Sequence, residues 1–209
     1  MMNIKDILAN GQAKGLKNKK QLRILQNLKW RQAFQASELY EYIFLDDVTF
    51  SLKQIPNGEM KGLGTGTFIW PAAQVLSKYL EHVFSPTNGL AGKKVCELGS
   101  GVGLVGIVAA LLGAEVVLTD QEVIIPLLHS NLSYTLDNIQ APSHTHANTT
   151  PNMPHYTAPN VDVLRQRIKV HPYDWSAPSP FAADAFDVLL VSDCVLPKLY
   201  PISLLVQVT

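Results

Sequence analysis

Two cysteines in 209 residues, Cys96 and Cys194, leave no material for a disulfide framework, since small oxidised domains are stapled by several bridges. Each falls beside a predicted strand end, where a reduced, buried thiol is the ordinary reading. Charge is also scarce. Asp, Glu, Lys and Arg make up 16% of the chain against 47% hydrophobic residues, which excludes a disordered or fibrous chain and points to one globular α/β domain with a substantial core. Long apolar runs are missing: the longest, around Leu104–Leu112, is too short to span a bilayer, and the N-terminus lacks the apolar core of a signal peptide. The reading is therefore a soluble protein without a membrane partner, cytoplasmic with the nucleus as a second compartment. Net charge is zero, yet residues 1–31 hold eight basic side chains against Asp6 alone. A solvated helical extension over residues 1–39 is favoured for this arm over one that meets nucleic acid, an acidic partner or a targeting receptor. No serine precedes Ser37 and Lys outnumbers Arg there, which speaks against a mitochondrial presequence.

What is present is concentrated in Lys94–Asp120, KVCELGSGVGLVGIVAALLGAEVVLTD. Val95, Cys96 and Leu98 read as a short apolar strand. Gly99, Gly101 and Gly103 then let the backbone turn sharply without Cβ interference. Leu104–Leu112 is apolar all round, as a helix buried against a sheet should be, and Gly113 stands at a favoured helix stop. Glu115–Asp120 reads as a second strand. A right-handed crossover between parallel strands would put Asp120 at the carboxyl edge beside the glycine turn, where a carboxylate can accept both hydroxyls of a ribose.

The spacing sharpens the ligand. A dinucleotide fingerprint would read G-x-G-x-x-G, but position 104 is Leu, so the pattern is G-x-G-x-G with Glu97 entering the turn. A pyrophosphate favours a helix N-terminus without nearby negative charge, whereas an acid there suits a ligand carrying an ammonium or sulfonium. S-adenosylmethionine carries both. The plain alternative is a glycine turn that only links strand to helix.

Around this centre, Leu22, Ile24, Leu25 and Leu28 predict a helix over roughly 19–36, and Tyr40–Leu45 with Val48–Leu52 predict a β-hairpin accessory to the main sheet. Gly58, Gly62, Gly64 and Gly66 read as a mobile connection into Trp70-Pro71, where Pro opens a helix. Its apolar face is predicted as Ala72, Val75, Leu76, Tyr79, Leu80 and Val83, packed beside the glycine-turn strand. Val123–Leu136 predicts a second crossover helix. Residues 141–160, with four prolines and almost no aliphatic side chain, read as a disordered insertion. His144, His146 and His155 have no Cys, Asp or Glu nearby, so no metal site is expected. Arg167–Pro172 predicts a third strand ending in Tyr173-Asp174-Trp175, and Phe186–Ser192 a fourth ending at Asp193.

The ordered segments Gly64–Leu80, Val95–Asp120, Pro126–Leu132, Tyr173–Trp175 and Val188–Val195 resemble the seven-strand, class I S-adenosylmethionine-dependent methyltransferases, and more closely the family-16 group that contains protein-lysine methyltransferases. The resemblance implies a Rossmann-like, doubly wound α/β domain over residues 40–209. It implies that Glu97, Gly99, Gly101 and Gly103 line the methionine part of the cofactor and that Asp120 takes the ribose hydroxyls. Trp70 would pack against the cofactor, while Asp174 and Trp175 would hold the adenine. Asp193 would sit as a catalytic group near the transferable methyl and the incoming amine. Bland roles stand beside these: Trp70 and Trp175 as core aromatics, Asp174 as a turn residue and Asp193 as a helix cap. The implied partner is a protein with an acceptor lysine, which must be desolvated to lose its proton.

Two departures qualify the resemblance. The motif after the fourth strand is commonly Asp-x-x-Tyr or Asp-x-x-Phe, but Asp193-Cys194-Val195 is followed by Leu196, with Tyr200 as a substitute ring. The family's fold continues through a fifth strand and an antiparallel hairpin, so a chain stopping at Thr209 is expected to be an incomplete form with an uncovered strand edge. The alternatives are then a non-catalytic cofactor-binding or scaffold protein and a small-molecule methyltransferase; a nicotinamide-dependent oxidoreductase is disfavoured by Leu104.

Overall fold

A computed structural model of the chain describes residues 37–84, 89–140, 159–195 and position 203. The helix predicted over 19–36, the basic arm, His144, His146, His155, Leu196 and Tyr200 lie outside the described residues, as does the insertion up to residue 158.

Strands β1 (Leu39–Phe44) and β2 (Val48–Lys53) form the predicted antiparallel hairpin. In both, alternate residues are buried, with Tyr42, Phe44, Val48, Phe50 and Leu52 on the core side, as period-two patterning requires. The hairpin is a separate two-stranded sheet, not an addition to the main one. Helix α1 (Pro71–Val83) begins with Pro at its first position, and helix α2 (Leu104–Leu111) is buried along its whole length. Helix α3 (Ile125–Asn138) follows, and then α4 (Val161–Arg167). The last was not foreseen: seven residues are too few for a clear period, and its start is set by Asn160, whose side chain accepts the Asp162 amide.

The main sheet has order β5-β4-β3-β6, all parallel, with β3 (Lys94–Leu98), β4 (Glu115–Asp120), β5 (Ile168–Pro172) and β6 (Val188–Val191). The predicted strands and their parallel pairing are present. β3 and β4 are joined through α2, and β4 and β5 through a path that includes α3 and α4. This alternation gives the Rossmann-like α/β architecture.

Two readings are corrected. Helix α1 buries Ser77, Leu80 and Glu81 and packs against α2, while Val75, Tyr79 and Val83 are 69%, 57% and 43% exposed. Of the predicted face, Leu80 is buried and Leu76 packs against the core, so apolar spacing placed that face only in part, because the inward side also carries a polar tie. Glu81 accepts the Tyr42 hydroxyl, the Leu45 amide at 3.0 Å and Lys78 Nζ at 2.9 Å, fixing the hairpin to the helix. Buried charge is tolerated because each contact supplies a hydrogen bond. The hairpin is also held by α3 rather than by the main sheet. Along the outer edge of β2, Thr49 exchanges backbone hydrogen bonds with Gln140, Ser51 O accepts from Thr135 Oγ1 at 2.9 Å, and Lys53 pairs through both backbone groups with Asn131. A helix and the chain leaving it thus satisfy an edge that would otherwise seek another strand.

Candidate functional site

The main sheet delivers its chemistry to one edge. The glycine turn leaves the carboxyl end of β3, Asp120 ends β4, Tyr173-Asp174-Trp175 follows β5, and Ser192-Asp193-Cys194 follows β6. Carboxyl ends of parallel strands are where open α/β sheets bind ligands. A cleft of about 930 Å³, including its part open to solvent, lies there. Of the sequence-predicted residues, Trp70, Glu97, Gly99, Gly101, Asp120, Asp174, Trp175 and Asp193 line it.

Gly103 is the exception. It caps α2 at φ 95°, and a Cβ there would stand 2.8 Å from Leu128 Cδ1, so its role is to let the turn pack on α3. The other two glycines also face protein. A Cβ on Gly99 (φ 69°) would stand 2.7 Å from Cys194 Sγ, and one on Gly101 (φ 55°) would stand 3.1 Å from Gly66 O. The close approach anticipated for a ligand is therefore shared with neighbouring chain.

The turn is stitched to β4. Ser100 N donates to Thr119 O at 2.8 Å, Thr119 N donates to Ser100 Oγ at 3.1 Å, and Thr119 Oγ1 donates to Glu97 O at 2.7 Å. Asp120 Oδ2 accepts the Gly101 amide and Oδ1 the Gln121 amide, each at 2.7 Å. Each carboxylate oxygen has a further lone pair for a ligand hydroxyl. Burial pushes the Asp120 carboxyl up to about 6, with the two amides pulling the other way; its partial exposure at the cleft tempers that push.

Glu97 sits deeper, 2% exposed, and its Oε2 accepts the Gly106 amide in the first turn of α2 at 3.0 Å. Burial raises it to about 8, against the Gly106 amide and Ser100, and the charge of Asp120 adds to the rise. Two carboxyls with raised values thus flank one glycine turn. That environment favours a cation over a pyrophosphate.

The aromatic walls are fixed as well. Trp70 Nε1 donates to Thr65 O at 2.9 Å, and its ring stacks on Phe68 with centroids 5.2 Å apart. Trp175 packs on the cluster of Cys96, Leu98 and Tyr173. Both tryptophans are therefore core-packed and cleft-lining at once. Asp174 Oδ1 accepts from Ser176 N and Ser176 Oγ at 2.9 and 2.8 Å, the turn role weighed for it, while the residue remains at the cleft. Asp193 holds φ 51°, and its Oδ2 accepts the Ala72 amide at 2.8 Å. It caps the first turn of α1, a helix distant in sequence, rather than one of its own.

Several site residues escaped the sequence reading. Gly64, Thr65 and Gly66, read as a mobile connection, line the cleft, with Gly66 against the glycine turn. Their signal was the glycine spacing itself, which marks close backbone approach as readily as mobility. Cys194 lines the cleft and its thiol donates to Leu98 O at 3.0 Å; burial, then the charges of Glu97 and Asp120, push it up to about 12, which keeps it protonated. Among the described residues no group of three His, Cys, Asp or Glu side chains could hold a metal, and no helix is long and apolar enough to cross a membrane.

The donor set fits S-adenosylmethionine. A carboxylate stands at the end of β4, where it can meet a ribose, one buried acid, Glu97, stands at the turn for a cationic group, and two indoles offer flat or apolar surfaces.

Residues 57–149 match the family model described as lysine methyltransferase. The chain is 47% identical over 78 residues to protein N-lysine methyltransferase METTL21A of Mus musculus, covering 37% of this chain and 34% of that protein. It is 49% identical over 74 residues to METTL21A of Danio rerio (35% and 33% covered) and 46% identical over 71 residues to protein-lysine methyltransferase METTL21E of Mus musculus (34% and 27%). The matches span about one third of these relatives' length. A 16S rRNA N2 G1207 methyltransferase of T. Thermophilus superposes with a TM-score of 0.37 at 18% identity over 64% of this chain and 40% of that one, a likeness too loose to bear on function. Over residues 57–149, which carry the glycine turn and its two acids at the sheet's carboxyl edge, the chain is similar to the lysine methyltransferase family.

Proposed function

We propose that this chain forms the cofactor-binding part of a protein-lysine N-methyltransferase. The observation that carries the reading is Asp120, held by the Gly101 amide at 2.7 Å inside a cleft that also gathers Glu97, Trp70, Trp175 and Asp193. Bound there, S-adenosylmethionine supplies an activated sulfonium methyl, so the protein's tasks are orientation and desolvation rather than covalent catalysis. In this reading Asp120 binds the ribose hydroxyls, Asp174 and Trp175 position the adenine, and Glu97 lies on the methionine side. Trp70 excludes water from the cleft. Asp193, fixed by its bond to Ala72, orients the N–H groups of an incoming amine that has already lost its acid proton in a desolvated setting. The lysine-methylating names of the relatives support a protein substrate.

The test is calorimetric titration of S-adenosylmethionine into the 209-residue chain beside Asp120→Ala. Saturable binding lost in the variant supports the reading. No binding by wild type and variant alike defeats it. Transfer of labelled methyl to lysine in a protein mixture then separates a methyltransferase from a cofactor-binding scaffold, and labelling of small molecules alone would redirect the substrate class.

A further inference from the structure

The amide of Asn131 joins two parts of the molecule that have no sequence neighbourhood. Asn131 stands fully buried in the middle of α3. Its Oδ1 accepts the Lys53 amide at 2.7 Å, and its Nδ2 donates to Lys53 O at 3.0 Å, so it pairs with the last residue of β2 as an adjacent strand would. Nδ2 also donates to Val102 O at 3.2 Å. Val102 is the residue between Gly101 and Gly103. One side-chain amide, with both hydrogens and its oxygen engaged, therefore ties the hairpin to the cofactor turn.

The next two residues along the same strand end reach a second wall of the cleft. Gln54 Oε1 accepts the Ile69 amide at 2.7 Å, and Ile55 N donates to Thr67 O at 2.8 Å, so Lys53–Ile55 fixes the segment that runs from Thr65 to Trp70. Thr65 in turn accepts the Trp70 indole. A strip of three residues, outside the cleft, therefore holds both of its walls. Turns rich in glycine have little conformational preference of their own, so outside contacts must select the geometry.

We propose that Asn131 is a positioning residue that selects the binding geometry of the glycine turn and sets it in register with the Thr65–Trp70 wall, so that the hairpin acts as an alignment piece for the cofactor cleft. The proposal rests on the cofactor reading above for its functional consequence, though the coupling itself does not. Thr135, one turn further along α3, supplies the control: it ties Ser51 of the same strand to the same helix but does not touch the glycine turn.

The experiment measures amide hydrogen exchange of Gly101 and Gly103 relative to amides of β3 in the wild-type 209-residue chain, Asn131→Leu and Thr135→Val. The ratio separates local loosening of the turn from a general loss of stability. Asn131→Leu is expected to raise the ratio about tenfold, the worth of about one buried hydrogen bond, while Thr135→Val leaves it within about twofold. In wild type, the Asn131 side-chain amide protons should show protection that follows Gly101 and Gly103, which keeps the test alive if Asn131→Leu does not fold. An unchanged ratio in Asn131→Leu, an equal rise in Thr135→Val, or side-chain protons that exchange freely in wild type would each overturn the proposal. Calorimetry with S-adenosylmethionine is run alongside. A wild type that binds nothing while the exchange pattern holds would overturn the cofactor reading and not the coupling, whereas a bound wild type with about tenfold weaker binding in Asn131→Leu alone joins the two.

Discussion

Gly66 and Gly101 meet backbone to backbone: a Cβ on Gly101 would lie 3.1 Å from Gly66 O, and one on Gly66 would lie 3.2 Å from Gly101 Cα and 3.4 Å from Asp120 Oδ2. Two turns separated by 35 positions thus close against each other at the carboxylate assigned to the ribose. Gly66→Ala should displace the Gly101 backbone by a few tenths of an ångström and disturb its amide's bond to Asp120. The expected result is about tenfold weaker S-adenosylmethionine binding by calorimetry, with little change in thermal stability. A large fall in melting temperature at unchanged affinity would show that the contact serves packing alone.

Gly106 tests the core beneath that contact. A Cβ there would stand 2.0 Å from Leu118 Cδ2 and 2.8 Å from Glu97 Oε2, both buried. Gly106→Ala should cost about 3 kcal/mol or prevent folding, as overpacking of a close helix–sheet contact does. Gly92, at φ 75° with nothing within 4 Å of a Cβ, makes the comparison: Gly92→Ala should cost only the backbone strain, about 1 kcal/mol. Urea unfolding of both variants measures the difference.

These glycines show what the sequence could and could not reveal. The strand–turn–helix–strand unit from Lys94 to Asp120 was legible because apolar runs, turn glycines and an end-of-strand acid are local signals. Asp174, Trp175 and Asp193, at other strand ends, were singled out by the resemblance to the methyltransferases rather than by any local pattern. Contacts set by tertiary packing were not legible. Gly106 looks like one small residue in an apolar helix until Leu118 and Glu97 are placed against it. Asn131 looks like a surface amide of an amphipathic helix until Lys53 and Val102 are brought to it. The same limit left half of the α1 face misplaced: Leu76 and Leu80 turn inward as read, but Val75, Tyr79 and Val83 do not, because Glu81 meets Tyr42 from another element.

Asp193 separates structural from chemical duty. Its left-handed backbone is one that Asp and Asn tolerate better than other side chains, and its Oδ2 holds the Ala72 amide. Asp193→Asn keeps both features and should unfold within about 0.5 kcal/mol of wild type, whereas Asp193→Ala loses both and should cost about 2 kcal/mol. In a methyl-transfer assay, Asp193→Asn is expected to lower transfer at unchanged cofactor affinity. Equal transfer by the two proteins would leave Asp193 as a cap and nothing more.

Glu97 gives the protein a pH dependence of defined sign. Its carboxyl rises on folding from 4.5 to about 8, so between these values the folded state binds more protons than the unfolded one. Stability is therefore intact below about 4.5 and is eroded as pH climbs to about 8, by up to about 1.4 kcal/mol per unit. Asp120, rising from 3.8 to about 6, adds to the slope in the lower part of that window. Glu97→Gln can still accept the Gly106 amide but has no proton to lose, so its stability relative to wild type should grow from pH 4.5 to pH 8 and then level off. A bound cation reverses the cost by favouring the ionised acid. S-adenosylmethionine should therefore bind wild type more tightly as pH rises from 6 to 8, with proton release visible as a dependence of the calorimetric heat on buffer ionisation enthalpy. Glu97→Gln should lose most of that dependence. Identical pH profiles for the two proteins, in stability and in binding heat, would mean that Glu97 keeps one charge state throughout and contributes only its hydrogen bond to α2.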